Sequence, residues 1–319
     1  MHFSKCFIII LVHISYNSMK TKICIIGPGV VGQATGKVFV KLGIETAFLG
    51  GNPEKTQKLR KEGYTAYSRN ELFDGSYDFD ISMLTVPTPT IDGKIDLSAI
   101  KSASTDLGKR LKLNKNNYHV VVVKSTVPPG TSENLVAELI ESSSGRKLGV
   151  DFGLCMNPEY LREKSAYDDA LNPWIILIGQ YDKRSGDGLE EVYKKFKCPT
   201  VRCSVKEAEF QKYVHNLFNA VKITFFNEMR NMCKECKFDT KKVFEVTARS
   251  AEGMWNPHYG IRDLGPFSGS CLPKDTIAFL HWVQQNGADA PLLKMIIDVN
   301  EMLINGNGEA KKEVVGAEL

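Results

Sequence analysis

Four apolar residues, Ile23 to Ile26, run straight into Gly27-Pro28-Gly29-Val30-Val31-Gly32, and a helical apolar pattern then continues to about Leu42. A continuous apolar run of this length reads as a strand buried on both faces, and the glycines turn it directly into a helix. Each glycine has a separate job. Gly27 permits the tight turn, Gly29 lets the backbone approach a pyrophosphate, and Gly32 allows the helix to pack closely on the strand, with the positive helix end facing the phosphates. A glycine triplet alone is weak, but after a strand and before further β-α units it points to a dinucleotide site.

Further apolar runs at Thr46 to Leu49, Phe79 to Val86, His119 to Val123, Phe152 to Met156, Ile175 to Ile178 and Thr200 to Cys203 extend the alternation. They predict a doubly wound parallel sheet covered by helices on both faces. Loops at the carboxyl ends of such strands converge on the ligand crevice. Here they are residues 86–90, with Thr88 between prolines, residues 124–130, with Ser125 and Thr126, and residues 157–163, which place Glu159 and Glu163 one helical turn apart. One element is missing. The second strand of an NAD-binding unit ordinarily ends in a carboxylate for the ribose hydroxyls, whereas this one ends Leu49-Gly50-Gly51-Asn52. Asn52 offers a neutral contact, and Lys55 and Lys58 tolerate a 2′-phosphate, so NADP stays open beside NAD.

The remaining composition narrows the class. With 319 residues, 43% of them hydrophobic, the chain can bury a real core and reads as a soluble two-domain protein. A net charge of +4 without any basic block gives no footprint for nucleic acid. Eight scattered cysteines lack the density of a disulfide scaffold and suit a reducing cytoplasm. Cys233 and Cys236 have no second ligand pair, so no metal is expected. Phe7 to Val12 is far too short to span a membrane, and Met19, just ahead of the first strand, reads as the functional start, with residues 1–18 an extension or disordered tail.

After Cys203 the pattern turns helical. Phe210, Val214, Leu217, Val221, Phe225 and Met229 form one face of a long helix from Lys206 to about Lys237, with Lys212 and Asn216 four residues apart beside it. Such a stripe is more often core than ligand site, and so long a helix joins two domains or makes an oligomer interface. Later, Cys271 precedes Leu272-Pro273-Lys274-Asp275. Proline suits the first helical position, so Cys271 is expected at a helix start, where the dipole favours thiolate, with Asp275 one turn away. A lone cysteine is more often a buried, inert thiol.

Together these segments resemble the UDP-glucose/GDP-mannose dehydrogenase family: residues 27–32, 86–90, 124–131, 157–163, 207–228, 268–275 and 290–301 match its motifs in order. The resemblance implies a Rossmann-type domain followed by an all-α central domain with a long connecting helix. It also implies NAD-dependent, four-electron oxidation of a nucleotide sugar, a UDP-sugar such as UDP-glucose, to a uronate. Cys271 would carry the thiohemiacetal and thioester, Lys212 and Asn216 would stabilise oxyanions, Asp275 and Thr126 would orient water, and Glu159 would be the hydrolytic base. Gly27, Gly29, Val31, Gly32, Lys55, Thr88, Ser125, Thr126, Glu163 and Lys274 would contact NAD. Tyr160, Leu161, Lys212, Asn216, Arg262 and Ser268 would contact substrate, with Arg249 a rival to Arg262. The family pattern and the long helix suggest a homodimer.

The expected layout is a cofactor domain over residues 19–205, a helical domain over 206–305 and a flexible tail over 306–319. Family members continue into a third, nucleotide-gripping domain, whereas this sequence stops at Leu319. Pro266 and Ser268 stand where the family has glycines, which reshapes the loop before Cys271. Two alternatives therefore stand beside the dehydrogenase reading: a two-domain NAD(P) dehydrogenase of another hydroxy compound, and a non-catalytic paralogue.

Overall fold

The computed structural model describes residues 21–113, 118–261, 265–269 and 271–316, with side chains through residue 305. The chain divides into two compact units at Val214/His215. That boundary lies nine residues beyond the expected one, inside a continuous helix.

The first unit contains, in order, β1 (Lys22–Ile26), α1 (Val30–Lys41), β2 (Glu45–Gly50), α2 (Pro53–Lys61), β3 (Ala66–Ser68) and β4 (Ile81–Leu84). A small hairpin, β5 (Thr90–Ile91) and β6 (Lys94–Ile95), leads to α3 (Ser98–Leu113) and β7 (His119–Val123). Next come α4 (Glu138–Ser144), β8 (Phe152–Met156), α5 (Ala166–Leu171), β9 (Ile176–Gln180), α6 (Lys183–Tyr193) and β10 (Thr200–Ser204), and then the start of α7 (Val205–Glu235).

Eight strands form one sheet in the order β10-β9-β8-β7-β4-β1-β2-β3. The strand order reverses between β1 and β4, which opens a crevice outside their carboxyl ends. Period-two alternation sorts the apolar strand residues onto two faces. Ile23, Ile25, Met83 and Val122 pack with Phe39 of α1 and Leu189 of α6, while Cys24, Ile26, Leu84 and Val123 pack with Leu107 of α3 and Ile140 of α4. Burying each such aliphatic side chain contributes about 1.5–3 kcal/mol.

The sheet is not wholly parallel, which corrects the expectation. β9 pairs antiparallel to β8, and β10 follows β9 in parallel. The reversal has a use. It ends β10 so that α7 runs back toward the edge where the β7 and β8 loops lie: Ala208 sits against Gly179, and Glu209 reaches Gly130 and Ser132. The edge strand β3 and the β5–β6 hairpin were not legible as periodic runs, being only three and two residues long.

The second unit holds the rest of α7, then α8 (Thr240–Ser250), α9 (Glu252–Trp255), α10 (Leu272–Gln285) and α11 (Pro291–Gly316). Its core is modest: Met232, Val283, Ala290, Leu293 and Ile297, with Met229 and Leu280 against them. Glu228 of α7 accepts the Leu292 and Leu293 backbone N–H groups at 2.8 and 3.1 Å, capping α11. The backbone of α11 is helical through Gly316, where a loose tail from residue 306 was expected. The α7 stripe also departs from its core reading, because Phe210, Val214, Leu217 and Val221 are exposed. No described helix is long and apolar enough to cross a membrane.

Candidate functional site

The glycine turn behaves as its spacing requires. Gly27 has φ +96°, and a Cβ there would lie 2.7 Å from Val86 Cγ1. At Gly32 a Cβ would sit 2.6 Å from the Gly27 carbonyl oxygen, so only glycine lets α1 approach the turn. Gly29 differs, since its nearest neighbour would be 4.0 Å away. The space a side chain would fill there is left open. Gly29 is also the N-cap of α1, offers no side-chain cap, and the first turn carries no acid, so the leading N–H groups suit an anion.

A cavity of about 490 Å³ opens at this turn, lined by Gly27, Pro28, Gly29, Val30, Val31, Asn52, Lys55, Thr85, Thr88, Lys124, Ser125, Thr126 and Glu159 among others. Eight of the ten expected cofactor residues either line it or, for Gly32, pack directly beneath it. Its walls are cross-braced: Thr88 Oγ1 donates to the Thr126 carbonyl at 2.8 Å, and Ser125 Oγ donates to the Val86 carbonyl at 2.6 Å. Asn52 caps α2 by accepting the Lys55 N–H at 3.1 Å. Lys58 instead approaches Glu62 at 4.0 Å and is absent from the lining. Open glycine backbone, an uncapped helix start and clustered hydroxyls fit the dinucleotide the sequence implied.

Two expected cofactor residues stand elsewhere. Glu163 opens an exposed 3-10 turn, Glu163–Ser165, and does not line the cavity. Residues 157–162 are not helical, so Glu159 and Glu163 are not one helical turn apart. The buried Asn157 anchors the start of this stretch through Lys124 and Tyr193, and Glu159 Oε2 accepts the Leu161 N–H at 2.6 Å. Lys274 belongs to the second unit, where it pairs with Asp275 at 2.7 Å.

At the β8 loop the structure brings Glu159, Tyr160, Leu161 and Lys212 together. Lys212 Nζ lies 2.9 Å from Glu159 Oε1 and donates to the Glu159 carbonyl. It also stands 5.4 Å from the Tyr160 ring centroid, and Tyr160 Oη donates to Gln211 Oε1 at 2.5 Å. The sequence reading assigned no role to Lys124, which ends the four-valine strand and is buried. Its Nζ donates to Asn157 Oδ1 at 2.8 Å, and Tyr193 donates to the same oxygen at 2.5 Å. Burial pushes the Lys124 ammonium down to about 8, and Lys212 pushes the same way while Glu159 opposes both. A lysine closing so apolar a strand was the available signal.

Glu209 was also missed. Fully buried on α7, it accepts the Gly130 and Ser132 N–H groups at 2.5 and 2.8 Å and so ties the Ser125–Thr126 loop to the helix that carries Lys212. Burial raises its carboxyl above the usual range despite those donors.

In the second unit Cys271 is the N-cap of α10 and is exposed, which sets aside the buried-thiol reading. Leu272 precedes Pro273 in the helix, so proline takes the second helical position rather than the first. Asp275 donates its backbone N–H to the Cys271 carbonyl at 2.9 Å. Ser268 lines a cavity of about 920 Å³ with Glu252, Asn256, Tyr259 and Phe267, and Asn300 fixes that loop by two bonds to the Phe267 backbone, 2.8 and 3.1 Å. Asn216 is an exposed residue of α7, Arg249 lies in the last turn of α8, and Arg262 falls outside the described residues. Cys233 is buried and Cys236 half-buried beside Phe226 and Met229.

A reversing, mostly parallel sheet with a glycine cradle at its switch point, followed by a helical unit, defines a dinucleotide-dependent oxidoreductase architecture. Residues 69–197 match the UDP-glucose/GDP-mannose dehydrogenase family, NAD binding domain, and residues 206–302 match that family's central domain. The chain belongs to the UDP-glucose/GDP-mannose dehydrogenase family. It is 38% identical over 245 residues to the GDP-mannose 6-dehydrogenase of Pseudomonas aeruginosa, covering 76% of this chain and 55% of that one. Against the UDP-glucose 6-dehydrogenase of Haloferax volcanii it is 33% identical over 305 residues, 88% of this chain and 69% of that one. The crystal structure of a ternary complex of the P. aeruginosa GDP-mannose dehydrogenase superposes with a TM-score of 0.82 at 33% identity, covering 89% of this chain and 69% of that one. The chain spans about half the length of the first curated relatives it matches.

Proposed function

We propose that this chain carries the redox chemistry of a nucleotide-sugar 6-dehydrogenase, oxidising a primary alcohol to a carboxylate in two successive steps. The observation that carries the reading is the cavity at the glycine turn, which sets Lys124 and Glu159 beside the cofactor-fitting backbone of Gly27 and Gly29. Bound there, NAD supplies a two-electron hydride acceptor. The chain's own residues do the rest.

Oxidation of the alcohol removes one hydride and one proton and leaves an aldehyde. The Cys271 sulfur adds to that aldehyde, its proton ending on the new hydroxyl, and loss of a second hydride from carbon together with that hydroxyl proton gives a thioester. Water then cleaves the C–S bond, releasing the acid and restoring the thiol. In this scheme Lys212 and Asn216 stabilise the oxyanions, Glu159 takes a proton from water, and Thr126 and Asp275 orient that water. Tyr160, Leu161 and Ser268 contact substrate. The match of residues 206–302 to the family's central domain supports assigning Cys271 this role.

Relatives of both substrate classes match this chain, GDP-mannose enzymes of two Pseudomonas species at 38–39% identity over 222–245 residues and UDP-glucose enzymes of Haloferax volcanii and Bacillus subtilis at 31–33% over 300–305 residues, so both GDP-mannose and the UDP-glucose expected from sequence belong in the test. The exposed Phe210, Val214, Leu217, Phe218 and Val221 of α7 supply an apolar face for a homodimer.

The test is stoichiometric. With NAD and a panel of GDP- and UDP-sugars, two cofactors are reduced per sugar oxidised, and Cys271→Ser releases no free acid. One reduction per sugar points to a simple alcohol dehydrogenase, and no turnover with cofactor bound points to a non-catalytic paralogue. Light scattering at micromolar concentration checks the dimer.

A further inference from the structure

The strand-end glycine that replaces the ribose-binding carboxylate is locked in place by the phosphate turn. A Cβ at Gly50 would lie 2.9 Å from both Cδ and Cγ of Pro28, closer than packed carbons approach. Pro28 is the residue between the first two glycines of the turn, and its buried ring fills the place where an acidic side chain would leave β2. With Pro28 there, a side chain at position 50 requires the proline ring to shift.

What lines the space instead is net positive. A second cavity, about 160 Å³, is bounded by Gly50, Gly51, Arg69, Ser102, Asp106 and Arg110, and it shares Gly27, Gly51 and Val86 with the cofactor cavity. Asp106 is the one carboxylate among its described lining residues, and it orients Arg69 by accepting from Nε at 2.6 Å. Arg69 also donates to Ser102 Oγ at 2.5 Å, which holds the guanidinium on the α3 side of the opening. Arg110 adds a second, buried guanidinium. It stacks 3.7 Å from the Phe73 ring centroid and donates to the Arg69 and Asp106 carbonyls at 2.5 and 3.0 Å. Two cations against one anion leave one positive charge on this wall. Across the shared rim, Lys55 adds another at the cofactor cavity.

A carboxylate at the strand end chelates the 2′- and 3′-hydroxyls and repels a 2′-phosphate, whereas arginine beside the ribose accommodates that phosphate. We infer that the Pro28–Gly50 contact and the Arg69 wall make this chain accept NADP as well as NAD, with Arg69 the residue that recognises the 2′-phosphate. The inference rests on the cofactor reading above and concerns the adenosine ribose alone.

Direct binding tests it without turnover. Isothermal titration of the full chain at low salt should give NADP a dissociation constant within about threefold of NAD. Arg69→Gln should weaken NADP by about tenfold or more while moving NAD less than about threefold. The pair Pro28→Ala/Gly50→Asp, which frees the space and restores the carboxylate, should bind NAD and lose NADP by about a hundredfold. Thermal melts confirm that each variant is folded. NAD binding with NADP about a hundredfold weaker in the parent chain overturns the inference and spares the cofactor reading. Equal weakening of both nucleotides by Arg69→Gln overturns the role of Arg69. Failure of the folded parent to bind either nucleotide overturns both.

Discussion

Lys212 Nζ lies 2.9 Å from Glu159 Oε1 and donates to the carbonyl of the same glutamate, so one lysine of α7 fixes both the side chain and the backbone of one residue of the β8 loop. Their side chains are 5% and 17% exposed, enough enclosure that neither charge is well solvated alone. Lys212→Met is therefore expected to destabilise the first unit by roughly 3 kcal/mol, because it leaves an uncompensated carboxylate, as measured by urea unfolding. Glu159→Gln keeps an acceptor oxygen for Lys212 but removes its countercharge, so it too destabilises the first unit, and it is severe for turnover. If Glu159 is the hydrolytic base, steady-state oxidation falls by about 10²–10⁴ and a thioester accumulates on Cys271, visible as added mass on the intact protein. Unchanged turnover in this variant would remove Glu159 from the mechanism.

Lys124 makes an opposite prediction. Its pKa falls from 10.5 to about 8, so the folded state disfavours the charge and the unfolded chain binds more protons between those values. Stability from this site is complete above pH 10.5 and is lost as pH falls through 8, so the protein at pH 7 carries the penalty. Lys124→Met should be more stable than the parent at pH 7, by about 1–3 kcal/mol, while Tyr193 still satisfies Asn157. Catalytic turnover should drop in the same variant. A stabilised, less active protein is the signature of a charge kept for function.

His119 gives the acid limb. Its Nδ1 is 2.8 Å from the Phe79 carbonyl, which can only accept, so Nδ1 bears the proton and Nε2 accepts from Ser82 Oγ at 2.8 Å. Ser82 in turn accepts from Tyr77 at 2.6 Å. Burial lowers the imidazole from 6.5 to about 4. Here too the unfolded state binds more protons across the window, so stability is full above pH 6.5 and falls by up to roughly 3 kcal/mol as pH drops toward 4. Denaturant midpoints between pH 7 and 4 check this, and His119→Gln should flatten the slope.

Glu209 should behave as a clamp. Glu209→Ala leaves the buried N–H groups of Gly130 and Ser132 without their acceptor, at a cost of about 2–4 kcal/mol. Glu209→Gln keeps one acceptor oxygen and should recover part of it. Because the clamp holds the loop of Ser125 and Thr126, the alanine variant should also weaken NAD binding, read by titration calorimetry, more than its loss of stability alone explains.

Local order decided much of this protein. A strand followed by three glycines specifies its own turn and helix, because only glycine meets the positive φ at Gly27 and the close approach at Gly32, and both constraints are local. The continuous apolar runs likewise required a sheet covered on both faces, and the helix start at Cys271 was readable from proline placement. The contacts that make a site were not local. Lys212 and Glu159 are 53 residues apart, Glu209 and Gly130 are 79, and nothing in either segment names its partner. Only the folded sheet, with β9 reversed so that α7 returns toward the β7 and β8 loops, decided those pairings. The tertiary structure also decided that Lys124 is buried, that Glu159 and Glu163 are not helical neighbours, and that the Pro28 ring crowds position 50. Each depends on which strand ends lie side by side, and hydrophobic periodicity carries no information about that.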